Sequence, residues 1–460
     1  MSAHKLVLAG LVAAAVTTLP ASPVQAQPRG HAASASTVAS ANCSAAALVR
    51  AINAANASPG PSTIRLARKC VYRLTTPAPN DPANGLPAIR SDIRIDGQGA
   101  TITRAKGAPR FRILAVAEGG TLTISRVTIT NGSATDCPLF PGQAVCGGGI
   151  SNLGTLNAAN ITVRYNTATS NLPVEGGGID SDGRATLTDV DISYNTARYT
   201  GTEQGSADGG GLANDGLLTV RHSLVAKNSV SVTPNTGSFA FGSGQASFAD
   251  ARIERSTYAG NRAIATGGFA RAAVTVADPA TLTVDDTVVR DNTAEAAYGE
   301  AQGGAIAGNA HVTVTRSRIT GNQTIAPHGI ARGAGLRIPL IGVLRLSDTT
   351  VSNNTARATG SDGRAEGAGI DNPLGGSVTV VRSWITNNTA YAPQGVSRGG
   401  GLFNAIGTST LTDSSVTGNR AGDGGGIFKA SGTVTLNNTA VRRNVPNNCS
   451  PAGSVPGCSG

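Results

Sequence analysis

The chain has 460 residues, of which 60 are glycine and only 3% are aromatic, and its formal net charge is +10. So few rings exclude a core built on them, and arginines spread along the chain, without basic runs interleaved with aromatics, argue against a nucleic-acid-binding protein. A spread basic surplus suits attraction to anionic polymers.

In chain order, Lys5 precedes an apolar run from Leu6 to Leu19, followed by Pro20 and Val24-Gln25-Ala26. That is the pattern of a secretory signal with an Ala-x-Ala-like end, so residues 1–26 are expected to be removed. The mature chain is then exported, with a charge of +9 once Lys5 is gone (+10 − 1). No later apolar run is long enough to span a bilayer. In an exported chain six cysteines are most simply three disulfides. Every connectivity is open to the sequence, and proximity favours Cys43 with Cys70, Cys137 with Cys146, and Cys449 with Cys458.

Residues 27–62 read as an N-terminal tail and a capping helix, with Leu48, Ile52 and Ala55 at helical spacing between Ser44 and Ala57. From 63 to 445 the chain repeats. Each block opens on a Gly-rich tripeptide with an aliphatic residue, as in Gly147-Gly148-Gly149-Ile150 or Gly424-Gly425-Gly426-Ile427, and ends on an asparagine, from Asn166 to Asn444. Self-similarity at such a period marks a repeat architecture. Within a block, apolar residues two apart (Leu122/Ile124, Leu282/Val284, Val378/Val380) alternate with polar ones, which is the strand period. A second short strand follows with one buried residue (Ile129, Tyr258, Ile385), and the Gly-aliphatic segment supplies a third. Three short strands per turn describe an all-β parallel β-helix of about a dozen coils in which each strand pairs with its counterpart one turn away. Residues 446–460, closed by Cys449 and Cys458, read as a C-terminal cap that protects the last strand edge.

Three columns of residues recur. The terminal asparagine sits where the chain must turn, so a left-handed conformation with stacked amides is expected there. Three residues before the single buried aliphatic, the series Arg255, Asp286, Arg316, Asp348, Arg382, Asp413 alternates in sign on every coil, as a continuous ion-pair column would. The same series absorbs Asp285-Asp286 and His222, which otherwise resemble catalytic groups. A third column precedes the glycines: Cys146, Glu175, Asp208, Gln302, Arg332, Glu366, Arg398 and Asp423. There Glu175 and Asp208 are expected to be direct neighbours of like sign. With Asp180, Asp182 and Asp215 one turn away they form a candidate Ca²⁺ site, since this ion takes oxygen ligands; a solvated acidic patch is the plainer reading.

Coils longer than the shortest carry their excess between the asparagine and the next glycines, for example Tyr199 to Ala207 and Tyr391 to Arg398, which places a set of loops on one side. Between Leu212 and Ile306 two coils lack the full glycine signature. Ser231 to Ala249 reads there as the longest irregular stretch, with Phe239, Phe241 and Phe248 as a candidate binding lip or, equally, as a flexible insertion with no role.

These motifs resemble the right-handed parallel β-helix proteins of the pectate-lyase-like superfamily. Gly303-Gly304-Ala305-Ile306 and Tyr258-Ala259-Gly260-Asn261 are similar to the Gly-Gly-Ala-Ile and aromatic-x-x-Asn motifs of polymorphic outer-membrane protein repeats, and Cys43 with Leu48 to Ile52 resembles the capping segment of bacterial helices of this kind. The resemblance implies the fold over nearly the whole mature chain. It also points to enzymes that hydrolyse acidic polysaccharides with clustered aspartates, or eliminate with Ca²⁺ and a basic residue. Their Asn-x-Asp, Gly-His-Gly and Arg-Ile-Lys sets are missing; His328-Gly329 is the nearest fragment. No catalytic residue is therefore assigned, and fold alone does not confer an activity. The leading expectation is a secreted monomer that binds an extracellular or cell-wall polysaccharide through its loop-bearing side. The alternative is a Ca²⁺-assisted polysaccharide lyase or glycoside hydrolase at Glu175 and Asp208, with Arg184 or Arg198 as base or clamp.

Overall fold

A computed structural model describes residues 36–39, 42–138 and 141–459; the expected signal segment, 1–26, lies outside the described residues. From Ala35 onward the chain forms one compact unit, an all-β parallel solenoid of about 11 turns with a single short helix near its start. Among the described residues no helix is long and apolar enough to cross a membrane.

One coil shows how the sequence folds. Thr155–Ala159 and Thr162–Arg164 form the first and second strands, Thr167–Ser170 runs outward, Val174–Glu175 returns, and Ile179–Ser181 closes the turn. Each pairs in parallel with the next coil, Leu156 with Ala185, Val163 with Ile192, Ala168 with Ala197, Glu175 with Asp208, and Ile179 with Leu212. The described strands sort into sheets of 25, 16 and 12 strands. The first and second strands share the largest sheet, the outward and return strands the second, and the Gly-aliphatic strands the third.

The main core lies between the largest sheet and the third, and it holds the predicted columns: Leu122, Ile124, Ile129, Val163 and their counterparts are fully buried. Tyr258 is buried as well, and its hydroxyl donates to Gln245 Oε1. That pair explains one irregular coil: Gln245 stands where other coils place an aliphatic, because a buried phenol needs an acceptor.

The segments expected as loops are strands at their ends, joined by short turns such as 200–205 and 392–395. The outward and return strands form a flange with a second core of its own, made almost wholly of alanine: Ala168, Ala197, Ala263 and Ala294 on the way out, Ala207, Ala240, Ala270 and Ala301 on the way back, all without exposure. Ser229–Phe241 is likewise one continuous strand. Alanine predominates because the narrow flange leaves little room between its two strands, with valine at Val174, Val230 and Val232 the largest aliphatic in equivalent positions. Ala301→Leu is therefore expected to cost about 1–3 kcal/mol of stability through overpacking, read as a lowered thermal midpoint.

The repeated glycines and asparagines meet where the flange leaves the main core. A Cβ on Gly177 would lie 2.5 Å from Gly210 O, and one on Gly178 would lie 2.9 Å from Asn195 Cγ and Nδ2. Only bare backbone passes through that neck.

The asparagine is not the left-handed residue. That conformation belongs to the position before it, with φ of 55° at Tyr165, 56° at Tyr194 and 55° at Lys227. The asparagines themselves point inward and are buried; each amide Nδ2 donates to Oδ1 of the next coil's asparagine, 3.0 Å from Asn166 to Asn195 and 2.8 Å from Asn292 to Asn322.

The alternating charge series also takes a different form. Its members occupy a second left-handed corner, between the first and second strands, with φ of 46° at Arg255 and at Asp286 and 51° at Asp348. Arg382 pairs with Asp348 at 2.8 Å inside the column, but Arg316 reaches across to Asp285 at 2.5 Å, and Asp413 accepts from Asn438. These exposed pairs are screened by solvent and add little to stability. The next residue along carries a hydroxyl ladder instead. Ser223, Ser256, Thr287 and Ser317 each accept the backbone N–H of the preceding coil and donate to a carbonyl two residues back.

Both ends are covered. The helix Ala45–Asn56, capped by Ser44, buries Leu48, Ala51, Ile52 and Ala55 over the first coil, and Cys43 is bonded to Cys70. A strand, Ser36–Ala39, pairs with Ser62–Arg65, so strand pairing begins inside the segment expected as a tail. At the other end the Cys449–Cys458 loop seats Val455 in the core. Cys137 is bonded to Cys146, which completes the three expected bridges.

Candidate functional site

The flange has two outer faces, and they differ in character. One continues from the second strand through the left-handed corner to the outward strand. Among the described residues, the five exposed aromatics all lie on it or at the flange tip: Tyr165 (49% exposed), Tyr194 (42%), Trp384 (52%), Tyr391 (45%) and Tyr298 (68%). Because Tyr165 and Tyr194 hold the same corner on successive coils, their rings stack with centroids 5.1 Å apart. Lys227, one coil further, donates from Nζ to Tyr194 Oη at 2.9 Å. Arg164 lies 5.7 Å from the Tyr165 ring and Arg357 5.6 Å from that of Tyr391, and at the tip Tyr298 stacks on His328. This strip offers π faces, hydroxyls and cations to solvent, a chemistry suited to sugar rings and anionic groups.

The other face lies in the corner between the return strand and the third sheet. The column predicted before the glycines lines one wall, and its two missing members are Phe241 and Arg271, paired in register with Asp208 and Gln302. The residue after each Gly-aliphatic pair lines the other wall. The walls touch: Arg337 Nη2 lies 3.2 Å from Glu300 across the corner, while Arg337 Nε meets Asp371 at 3.0 Å. Arg332 lies 3.0 Å from Glu366 and 3.4 Å from Glu300. Burial pushes the Asp371 carboxyl up to about 7, although Arg337 and Arg332 oppose the shift.

Three coils from Glu300 toward the N-terminus, beyond Arg271 and Phe241, the same corner turns acidic. Glu175 and Asp208 are register neighbours as expected, and Asp180 stands across from them without any exposure. Burial, reinforced by Asp182, Glu175 and Asp215, holds the Asp180 carboxyl well above the usual aspartate range. Asp208 is pushed up to about 7, again mainly by burial, against the pull of Ser206 and Arg271. Arg112, fully buried, donates from Nη2 to the Asp136 carbonyl, and burial lowers its pKa. Cys137 and Cys146 offer sulfur atoms within 4.8 Å of an Asp180 oxygen, but they are bonded to each other and so are not thiolate ligands.

The phenylalanines of the expected lip are not fully exposed. Phe239 stacks on Phe269 at 5.5 Å and Phe241 lies under Arg271, so both help to fill the corner, while Phe248 is half-buried beyond it. Nor does the fold gather the proposed base or clamp. Arg184 is exposed at the start of the next coil's first strand, and Arg198 lies on the flange's outward strand, away from Glu175 on the return strand. Sequence reasoning passed over Asp180 as a buried group, along with Arg112, Arg271 and the Arg337–Asp371 pair. A signal was present: Gly178-Ile179-Asp180 and Gly369-Ile370-Asp371 carry the same departure from the repeat, a carboxylate directly after the core aliphatic.

The fold and these faces define a parallel β-solenoid with a flange. No protein family matches the chain. No curated protein matches it either. Among solved structures, the A-module of the Azotobacter vinelandii mannuronan C-5 epimerase AlgE6 aligns over 87% of this chain and 96% of that chain, at 13% sequence identity and a TM-score of 0.38. A likeness at that level assigns neither chemistry nor residues.

Proposed function

We propose that this is a secreted, non-catalytic solenoid that binds an acidic extracellular polysaccharide along the aromatic and cationic face of the flange. One observation carries the reading: the five exposed aromatics collect on that face and its tip, beside Arg164, Lys227 and Arg357. A net charge of +10 supports an anionic partner, and three disulfides fit an oxidising compartment. Residues 1–26 act as the export signal in this reading, and the mature chain works as a monomer.

The test is a glycan-binding titration of the chain from Gln27 onward over a salt series. Binding to acidic glycans is expected to weaken with salt, as screening of exposed charge requires. Tyr165→Ala with Tyr194→Ala is expected to reduce affinity about tenfold, which corresponds to about 1.4 kcal/mol. Binding by the double variant equal to that of the parent would reject this face.

A second reading, a Ca²⁺-assisted lyase or a hydrolase, draws on Asp208, whose carboxyl titrates near neutral pH in the way an acid–base group requires. Against it, Asp180 and Asp208 are almost wholly enclosed, which leaves a sugar little access. Release of unsaturated uronate from pectate or alginate, abolished by Asp208→Asn, would establish it in place of the first reading.

A further inference from the structure

The largest sheet finishes differently at its two ends. At the start, the extended segment Ser36–Ala39 pairs in parallel with Ser62–Arg65, Val38 against Ile64. At the other end Thr433–Asn437 pairs only with Thr408–Thr412, and Ala440–Arg442 only with Ser415–Thr417. The Thr433 N–H donates back to the Gly407 carbonyl and the Asn437 carbonyl accepts from Asp413, so the alternate residues, Val434 and Leu436, turn their N–H and C=O groups to the free edge. The Cys449–Cys458 loop, expected to protect that edge, covers the core behind it instead. Between loop and strand a cleft of about 370 Å³ opens, lined by Val434 and Leu436 of the strand, Ser454 and Pro456 of the loop, and Lys429. Leu436 and Val441 are half-buried there, whereas Leu411 and Val416, one coil earlier in the same columns, have no exposure.

We infer that this edge takes an extended acidic segment of a partner protein, which adds to Thr433–Asn437 as one further parallel strand. Backbone groups turned outward at every second residue are matched by another backbone, and apolar side chains at alternate positions of the incoming strand complete the columns above Val434 and Leu436. The chain itself supplies the precedent, since Ser36–Ala39 completes the opposite rim in this way. Charge selects the partner. Lys429 lines the cleft, and Arg442 and Arg443, just beyond the strand, are exposed with no ion pair among the described residues. A second copy of this chain fits less well, because its first coil exposes Arg65, Arg68 and Lys69 and two ends of like sign would meet.

The experiment uses the chain from Gln27 onward and a synthetic peptide, Glu-Glu-Thr-Val-Thr-Leu-Thr-Glu-Glu, whose centre repeats the pattern of the last strand. Calorimetry is expected to show saturable one-to-one binding, and hydrogen exchange to show the Val434 and Leu436 amides protected by the peptide. The same peptide with lysine in place of glutamate should bind at least about tenfold more weakly. Leu436→Pro removes an N–H that the fold does not use, a change an edge strand tolerates, and should bind at least about tenfold more weakly than Leu436→Ala, which loses the same side chain but keeps the N–H. Arg442→Glu with Arg443→Glu should weaken binding to a similar extent and leave the strand itself intact. The proposal is overturned if the acidic peptide neither binds nor protects Val434 and Leu436, if the lysine peptide binds as well, if Leu436→Pro binds as tightly as Leu436→Ala, or if the double arginine variant binds like the parent. Self-association without peptide, abolished by Leu436→Pro, would also overturn it, because the edge would then take a second copy. Glycan binding should be equal with and without the peptide, so this inference and the polysaccharide reading can fail separately.

Discussion

Asn292→Ala is expected to lower stability by about 3–5 kcal/mol, seen as a large drop in the urea midpoint. The side chain is wholly buried at the neck of the flange. Its Oδ1 accepts both the backbone N–H and Nδ2 of Asn261, and its Nδ2 donates to Asn322 Oδ1 and to the carbonyls of Tyr258 and Arg290. Truncation leaves the Asn261 N–H without a partner where no water reaches, at about 1–3 kcal/mol, and removes one donor each from the Tyr258 and Arg290 carbonyls, the latter keeping the Gly260 N–H, at about 1 kcal/mol per bond. Asn292→Asp should lose nearly as much, since it cannot donate and would bury a charge. Asp286→Asn, at an exposed left-handed corner that asparagine also favours, serves as the control and should change stability by less than about 0.5 kcal/mol. Equal midpoints for Asn292→Ala and the parent would mean that the amide column is incidental to the fold.

Arg337→Ala is expected to cost a similar amount, about 3–5 kcal/mol, for a different reason. Its guanidinium is the bridge of the flange corner, held between Glu300 at 3.2 Å and Asp371 at 3.0 Å with 5% of the side chain exposed. Removing it strands Asp371, whose Oδ1 already lacks a partner; Glu300 keeps Arg332 at 3.4 Å. Arg337→Met combined with Asp371→Leu should recover much of the loss, because an apolar pair of similar volume has no stranded charge. The effect depends on pH with a definite sign. Asp371 titrates near 7 in the folded chain and at 3.8 as an ordinary aspartate, so between those values the folded state holds a proton that the unfolded state has released. This group's contribution to stability is thus complete below about pH 4 and is lost as the pH rises through 7. In an otherwise unchanged chain, Asp371→Asn should flatten the fall in stability between about pH 4 and 7. An unchanged slope would show that the carboxyl ionises freely where it stands.

How much of this was legible depended on side-chain size. Columns such as Leu282/Val284 and Ile385 announce themselves, because aliphatics alternating at period two and stacking coil after coil fit a buried strand face and little else. The neighbour relation of Glu175 and Asp208 follows from the same register. The flange was hidden because its core is alanine, which reads as neutral filler; Ala263, Ala294 and Ala301 look like loop residues until their burial is seen. The left-handed corner was misplaced by one residue because asparagine is the usual occupant of that conformation, whereas here Tyr165, Tyr194 and Lys227 adopt it so that asparagine can face inward. Polar and apolar alternation alone cannot distinguish an outward residue at an open surface from one in a closed corner. For that reason Asp180 and Asp371 passed as ordinary strand residues.

The amide column has a direction. From Asn166 through Asn444 to Asn448, every Nδ2 donates toward the C-terminal end, and Asn448 passes the last bond to the Ser459 carbonyl. Amide dipoles aligned head to tail add, as peptide dipoles do along a helix, and bonds in such a chain polarise one another. The solenoid therefore carries a polarised wire through its interior, negative toward the capping helix and positive toward the C-terminal loop. Any coil inserted or deleted with its asparagine intact preserves that wire, whereas a coil without one divides it into two shorter dipoles.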